Sequence, residues 1–504
     1  MKQAASKKFR PNVIFILSDD QGCWAMGCAG NKEIRTPNID ALARTGIRFE
    51  NFFCASPVCS PARASILTGR IPSHHGIHDW LAAGDTIARY EPARNGKRIE
   101  YLKGQPGYTD LLDSAGYHCG ISGKWHLGDT SHPQKGFRFW YVHAKGGGPY
   151  YNAPMVKNGK IYEEPRYVTD AITDNAIKFL EARKREAGPF YLSVHYTAPH
   201  APWERVHHPA QVFDLYHKNC PFESVPDGLP VAEWFEYLAM TGNENSETRR
   251  TWLSGYYTAV TEMDRNIGRL IKWLETNGLR EDTLVVFTSD NGMNMGHHGL
   301  YGKGNATFPL NMYEESVKVP FIMSLPGRIP EDTVNSSLLS HYDFMPTLLD
   351  YLSIENPQGK LLPGRSFADL LPGKAIRHND YVVIFDEYGP VRMVRTKDWK
   401  YIRRYPYGPD ELYNLESDRM EEHNLAGIPE HSKKEREMQN VLREWFSRYA
   451  DPARDGRHQA VTGLGQTGLC GNGITQSFQK FGVYATTRKS AYLNEPLHKY
   501  VDDK

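Results

Sequence analysis

Apolar residues follow two rhythms along most of this chain. Asn12–Leu17, NVIFIL, is a nearly continuous apolar run, the pattern of a strand covered on both faces. Phe190–Tyr196 (FYLSVHY) and Leu284–Thr288 (LVVFT) repeat it, and Tyr117–Ser122 is a further strand candidate. Between such runs the apolar spacing changes to three and four. Thr36-Pro37 supplies a cap and a first-turn proline for a helix with Ile39, Leu42 and Ala43 on one face. A longer helix is predicted through Tyr256, Val260, Met263, Ile267, Leu270, Ile271 and Leu274, with Gly278 placed to end it. Strands and helices alternating in this way predict an α/β domain built on a large, mainly parallel sheet flanked by helices.

The rhythm shifts after about Ala375. Tyr381–Phe385, Val391–Thr396 and Trp399–Arg404 read as short strands joined by tight turns, and a helical stretch follows at Lys433–Tyr449. Two domains are expected: a catalytic α/β domain over 1–375, and a smaller C-terminal α+β subdomain over 376–504 carrying an antiparallel sheet. The tail beyond Asp451 is rich in Gly, Thr and Gln. It is expected to wrap the surface or to help build a substrate rim.

Composition narrows the picture. The chain is 40% apolar and 24% charged, ordinary for a soluble globular protein. Its net charge of +1 gives no ground for a nucleic-acid or membrane-surface partner. No run approaches the ~20 apolar residues of a membrane span. The opening MKQAASKKFRPN lacks the apolar stretch of a secretory leader, so a cytoplasmic location is expected. A leader already removed would instead place the protein in the periplasm or outside the cell. The cysteines at 23, 28, 54, 59, 119, 220 and 470 are odd in number and scattered, which argues against a disulfide framework. No oligomeric state follows.

The polar residues are informative by position. In open parallel sheets, ligands bind beyond the carboxyl ends of the strands. NVIFIL is followed by Ser18-Asp19-Asp20, LVVFT by Ser289-Asp290-Asn291-Gly292, FYLSVHY by Thr197-Ala198-Pro199-His200, and the Tyr117 run by Gly123-Lys124-Trp125-His126. One such aspartate alone would be an ordinary cap or Asx turn. Asp19, Asp20, Asp290 and Asn291 together form an oxygen-rich set that suits Ca2+, or Mg2+, better than zinc. Carboxylates gathered this closely repel unless a cation holds them.

Cys59-Ser60-Pro61-Ala62-Arg63 precedes a short run ending at Thr68-Gly69-Arg70. Ser60 is a candidate helix cap, Pro61 suits the first turn and Gly69 the end. Cys59 is thereby expected at a helix N-terminus, where free N–H groups favour an anion, with Arg63 about one turn on. The alternatives are a buried structural cysteine or a low-pKa thiolate nucleophile. C-x-P-x-R followed by A-S-x-L-T-G-R resembles the signature of the type I sulfatases, in the alkaline phosphatase superfamily. PNVIFILSDDQG, TPNIDALARTGIRFENFF, the GKWHLG run, TSDNG, MYEESVKVPF and HYDFMPTLLD extend the likeness over most of the chain, and DELYNLESDRMEEHNL is similar to the family's C-terminal domain.

The resemblance implies an alkaline-phosphatase-like fold. It implies sulfate-monoester hydrolysis, of a sulfated carbohydrate and also of aryl sulfates, by a formylglycine made from Cys59 by a sulfatase-maturing enzyme. Asp19, Asp20, Asp290 and Asn291 would ligate the cation, with residue 59 as a further ligand. Arg63 would hold the hydrated aldehyde, Lys124 and His126 the sulfate and nucleophile, His200 the leaving-group oxygen, and Lys303 of Y-G-K-G the sulfate. Asp290 would be the base for attack, His200 or Lys303 the acid for the leaving group, and His126 the base for release. A geminal diol has one hydroxyl to attack sulfur and a second to deprotonate, so the sulfate is expelled without water attacking sulfur. The rival readings are a phosphodiesterase or phosphonate monoester hydrolase of the same superfamily, and a non-enzymatic sulfated-glycan binder.

Three loops are secondary candidates. Ser73–Trp80 is placed to line the pocket unless its histidines are merely surface residues. His143–Tyr151 reads as a flexible glycine loop with aromatic tips for a sugar ring. His298 is either a substrate contact or a packed loop residue. Asn305 and Asn335 fit the glycosylation pattern.

Overall fold

The NVIFIL run becomes the strand Asn12–Ser18, at the centre of a ten-stranded sheet. The computed structural model describes residues 10–85, 98–184, 186–232, 237–238, 246–374, 378–386, 391–405, 409–459, 461, 463, 465–471 and 477–478. From one edge the strands run Thr333–Asn335, Ile47–Phe49, Phe321–Ser324, Thr283–Ser289, Asn12–Ser18, Phe190–His195, His118–Lys124, Phe137–His143, Ala153–Lys157 and Lys160–Glu164. The five strands from Thr283–Ser289 to Phe137–His143 are mutually parallel, and antiparallel pairs flank them on both sides.

One strand starts and ends later than its apolar run suggests. Tyr117 lies outside the ladder and donates its hydroxyl to Pro11 O at 3.1 Å, while pairing continues through Gly123 opposite His195. A Cβ at Gly123 would stand 1.8 Å from His195 O, so only glycine lets the two backbones stay paired there. Lys124 is therefore the last residue of a strand, not the first of a loop.

Alternation on the central strand divides the core. Val13, Phe15 and Leu17 pack into a cluster with Phe344, Met345 and Leu348 of the helix His341–Tyr351. Ile14 and Ile16 face the opposite way, onto Ile39 and Leu42 of Pro37–Arg44 and Met263, Ile267 and Leu270 of Ser246–Thr276. Both faces are thus covered, which is why the strand reads as unbroken apolar sequence. Each such side chain contributes roughly 1.5–3 kcal/mol by leaving water.

The C-terminal part is an antiparallel meander, Tyr381–Asp386, Val391–Thr396, Trp399–Arg404 and Glu411–Asn414, with the helix Ser432–Tyr449 on one face. Val383, Val394, Tyr401 and Leu412 meet Met438, Leu442, Trp445 and Phe446 of that helix. Val382, Ile384, Met393 and Ile402 point the other way and merge with the main core. No described helix is long and apolar enough to cross a membrane. All seven cysteines are free thiols.

Candidate active site

The parallel register builds the centre of the site. Ser18 pairs with Ser289, so the two acidic turns leave the sheet side by side. Asp20 N donates to Asp290 Oδ1 at 3.1 Å, and Asn291 Nδ2 to Asp20 Oδ1 at 2.9 Å. Asp20 takes left-handed backbone angles, φ 64°, a strained conformation for a residue with a side chain and one that clusters at functional sites. Tyr256 braces this turn: its hydroxyl donates to Asp20 O at 3.0 Å and accepts from Gly22 N.

Cys59 is the first residue of the helix Cys59–Thr68, whose residues are all buried. The N-cap is Val58, not a position set by Ser60. Ser60 Oγ is used elsewhere, accepting from Leu81 N at 3.1 Å. Cys59 Sγ lies 3.5 Å from Asp19 Oδ1 and 2.7 Å from Lys303 Nζ. Arg63 Nη2 reaches Asp290 Oδ2 at 2.8 Å, Lys124 Nζ reaches Asp19 Oδ2 at 2.5 Å, and Lys303 Nζ reaches Asp20 Oδ1 at 2.6 Å. His200 Nε2 stands 3.7 Å from Asp20 Oδ2. Every site residue read from the sequence except His126 thus falls into one chain of polar contacts, and His126 joins Cys59, His200 and Lys303 in lining a cavity of about 320 Å³.

Electrostatics divides these groups. Burial raises the Asp290 carboxyl, but Arg63, Lys124 and Lys303 outweigh it and hold the group below the ordinary carboxylate range. At Asp19 burial wins over Lys124 and the shift is upward. Burial pushes the Cys59 thiol up to about 12 despite Lys124 and Lys303. A thiolate nucleophile therefore has no support from this environment. Burial, reinforced by Lys124 and Arg63, holds His126 well below the usual histidine value, so its ring is neutral. His126 Nε2 donates to Leu81 O at 3.3 Å, which leaves Nδ1 as the acceptor nitrogen. His126 also has left-handed backbone angles, φ 53°.

A profile of the sulfatase family matches residues 11–354, and one described as N-sulphoglucosamine sulphohydrolase, C-terminal, matches residues 296–448. The chain belongs to the sulfatase family. It is 30% identical to N-acetylglucosamine-6-O-sulfatase of Bacteroides thetaiotaomicron, over 88% of this chain and 87% of that one. It is 28% identical to an ulvan-active sulfatase of Formosa agariphila, over 88% and 82%. A structure solved in complex with its substrate D-glucosamine-2-N,6-O-disulfate superposes with TM-score 0.73 at 26% identity, covering 88% of this chain and 99% of that one. The enzyme is accordingly a sulfuric ester hydrolase, and the family match favours this over the phosphorus-ester and non-enzymatic readings.

The cluster in this sulfatase fits a divalent cation. One ligand atom each from Asp19, Cys59 and Asp290 lie within 4.8 Å of one another. Asn291 Oδ1 is buried and accepts no hydrogen bond among the described residues. Three buried carboxylates beside an unused amide oxygen make a hard-donor set. Arg63, Lys124 and Lys303 already balance the three carboxylates, so a bound cation leaves the site net positive and ready for an anion.

The fold corrects some of the other expectations and decides between alternatives in the rest. Tyr150 is not a free aromatic tip: it is buried, stacks on Tyr167 and donates its hydroxyl to His200 O at 2.8 Å. His75 and His78 are buried rather than surface residues. His298 is a packed residue, stacked on Tyr313 at 3.6 Å and bonded to Glu315 at 3.1 Å. The glycine loop does reach the site, because a Cβ at Gly146 would stand 2.2 Å from the His126 ring. Sequence reading missed His195, whose Nδ1 donates to Lys124 O at 3.1 Å, and His341, whose Nε2 donates to Ser289 O at 3.0 Å. The position of His195 at the end of a strand beside the site was the available signal.

Proposed function

We propose that this sulfatase hydrolyses a sulfate monoester of a carbohydrate, using a formylglycine derived from Cys59 and a Ca2+ ion held by Asp19, Asp20, Asp290, Asn291 and residue 59, with Mg2+ as the second choice. The gathering of three buried carboxylates and three buried cations into one contact network with Cys59, which together with Lys303 lines the cavity, carries the proposal. Sulfated-sugar names among the relatives and neighbours support the substrate class.

When present, the hydrated aldehyde supplies the attacking hydroxyl and the cation offsets charge on the sulfuryl oxygens. The chain's own residues do the rest. Lys124 and Lys303 bind the anionic sulfuryl group, and Arg63 holds residue 59 and Asp290 in place. Asp290, ionised by its cationic neighbours, accepts the proton of the attacking hydroxyl. His200, at the cavity wall, donates to the departing sugar oxygen. Neutral His126 accepts at Nδ1 the proton that must leave residue 59 when sulfate is released.

A maturing enzyme is the required transient partner. Mass spectrometry of the peptide carrying residue 59 tests the modification: conversion of thiol to aldehyde lowers the mass by about 18 Da, and turnover must scale with that fraction. A screen of sulfated mono- and disaccharides tests the substrate class. Higher kcat/KM on phosphodiesters or phosphonates than on every sulfate ester would reject the proposal.

A further inference from the structure

The C-terminal tail buries a side-chain amide, that of Gln466, behind one wall of the cavity. Gln466 is fully buried, beyond the last residue matched by either family profile. Its side-chain oxygen accepts from His78 N at 2.9 Å and Asp79 N at 3.4 Å, and its nitrogen donates to Gly76 O at 2.9 Å and Gly468 O at 2.8 Å. Its backbone adds a short parallel bridge, Gln466 N to Trp80 O at 2.8 Å and Ala82 N to Gln466 O at 2.9 Å. Trp80 Nε1 donates to Gly463 O at 3.2 Å. The tail also fits closely: a Cβ at Gly465 would meet Trp80 Cζ2 at 3.0 Å. The segment 76–82 is therefore pinned from its outer side by the tail, and from its inner side by Leu81, which bonds Ser60 Oγ and His126 Nε2.

That pinned segment presents Trp80 and Leu81 to the cavity beside Asp85, Lys145 and Asn305. A cavity of about 320 Å³ is at the small end of ligand sites and has room for one ring and its ester group. An indole next to a carboxylate, an ammonium and an amide matches a pyranose, which has an apolar ring face and a rim of hydroxyls. An aryl group would leave most of that polar rim unused.

We infer that this cavity is a one-residue sugar subsite in which Trp80 contacts the ring of the sulfated sugar and Gln466 is the positioning residue that holds Trp80 there. The inference rests on the carbohydrate reading above and deepens it. The measurement is kcat and KM of the matured enzyme on a sulfated hexosamine and on 4-nitrophenyl sulfate. Trp80→Ala is expected to raise KM for the sugar about ten-fold with kcat little changed, the signature of lost uniform binding. Gln466→Ala is expected to raise it in the same direction, and the double variant to be no worse in KM than Trp80→Ala alone, because one residue acts through the other. Trp80→Phe, which keeps a flat face, restores most of the affinity. Gln466→Met preserves volume and serves where the alanine variant does not fold. Wild-type KM in the Trp80 or Gln466 variants, or additive effects in the double variant, overturns the inference while the carbohydrate reading stands. Turnover of the aryl ester with none of any sulfated sugar removes the carbohydrate reading, and the subsite with it.

Discussion

Two clusters of ligand-type side chains in this enzyme look alike by composition and differ in what they leave open. One gathers Asp19, Asp20, Asp290 and Cys59 at the strand ends. The other gathers His298, Glu315 and Glu421, with Glu314, against the C-terminal sheet. Both place ligand-type atoms within metal-binding reach. In the second, the neighbours use up the acids: Lys400 Nζ sits 2.5 Å from Glu421 and 3.4 Å from Glu314, Arg395 3.5 Å from Glu314, and His298 bonds Glu315. Glu421 Oε2 further accepts from Glu314 N at 2.8 Å. The first cluster keeps an unused amide oxygen at Asn291 and opens on a cavity. A charged cluster closed on itself fixes two parts of a fold together. One that retains donors and an opening is a site.

The contrast is broken most directly at residue 59. Cys59→Ala is expected to lower sulfate release at least about 10⁴-fold while the melting transition stays near that of the wild type. Comparable turnover would show that the open cluster is not the reaction centre. The closed cluster is tested by Lys400→Met, which strands the buried Glu421 without its cation. A loss of roughly 3–5 kcal/mol in denaturant unfolding is expected, with unchanged kcat for the molecules still folded. A cation separates the two further. Ca2+ added to chelated enzyme at a hundred times its Kd should stabilise the wild type by about 2.7 kcal/mol. The gain should vanish in Asp290→Asn and persist in Glu315→Gln.

A third arrangement sets the lower end of the scale. Glu164 accepts from Arg166 Nε at 2.8 Å and from the Tyr162 hydroxyl at 3.0 Å, near the sheet edge. The Arg166 hydrogen bonds, working against burial, bring its carboxyl down to about 2. A lowered carboxylate contributes stability that is fully present above its unfolded value near 4.5 and lost as pH falls towards 2. Because Arg166 is half exposed, the contribution is about 1 kcal/mol or less. Glu164→Gln should flatten the stability curve between pH 4.5 and 2 by that amount, and an unchanged acid limb would show the pair to be inert.

What could be read in advance follows from how local the cause is. NVIFIL, FYLSVHY and LVVFT announce strands because both faces are buried, and Asp19, Asp20, Asp290 and Asn291 announce a site because they follow those strands directly. Glu411–Asn414 carries little strand signal, since only Leu412 and Tyr413 in it are apolar. Ser60 has the chemistry of a cap, yet a tertiary partner, Leu81, claims its hydroxyl. Tyr150 looked like a loop tip because nothing in its neighbourhood of sequence reveals Tyr167 stacked upon it. Gln466 carries no signal, because the partners that tie it to the cavity wall lie almost four hundred positions away, in the segment 76–82.

The complete burial of Cys59–Thr68 has a consequence in time. A modifying protein must grip several residues around the cysteine, and the folded chain offers none of them. On the proposed formylglycine reading, aldehyde formation and folding would compete for the same stretch of nascent polypeptide, and the winner would decide whether the molecule is ever active. Conditions that delay closure of this segment should raise the yield of active enzyme, while a fast-folding variant would emerge intact, stable and permanently inert.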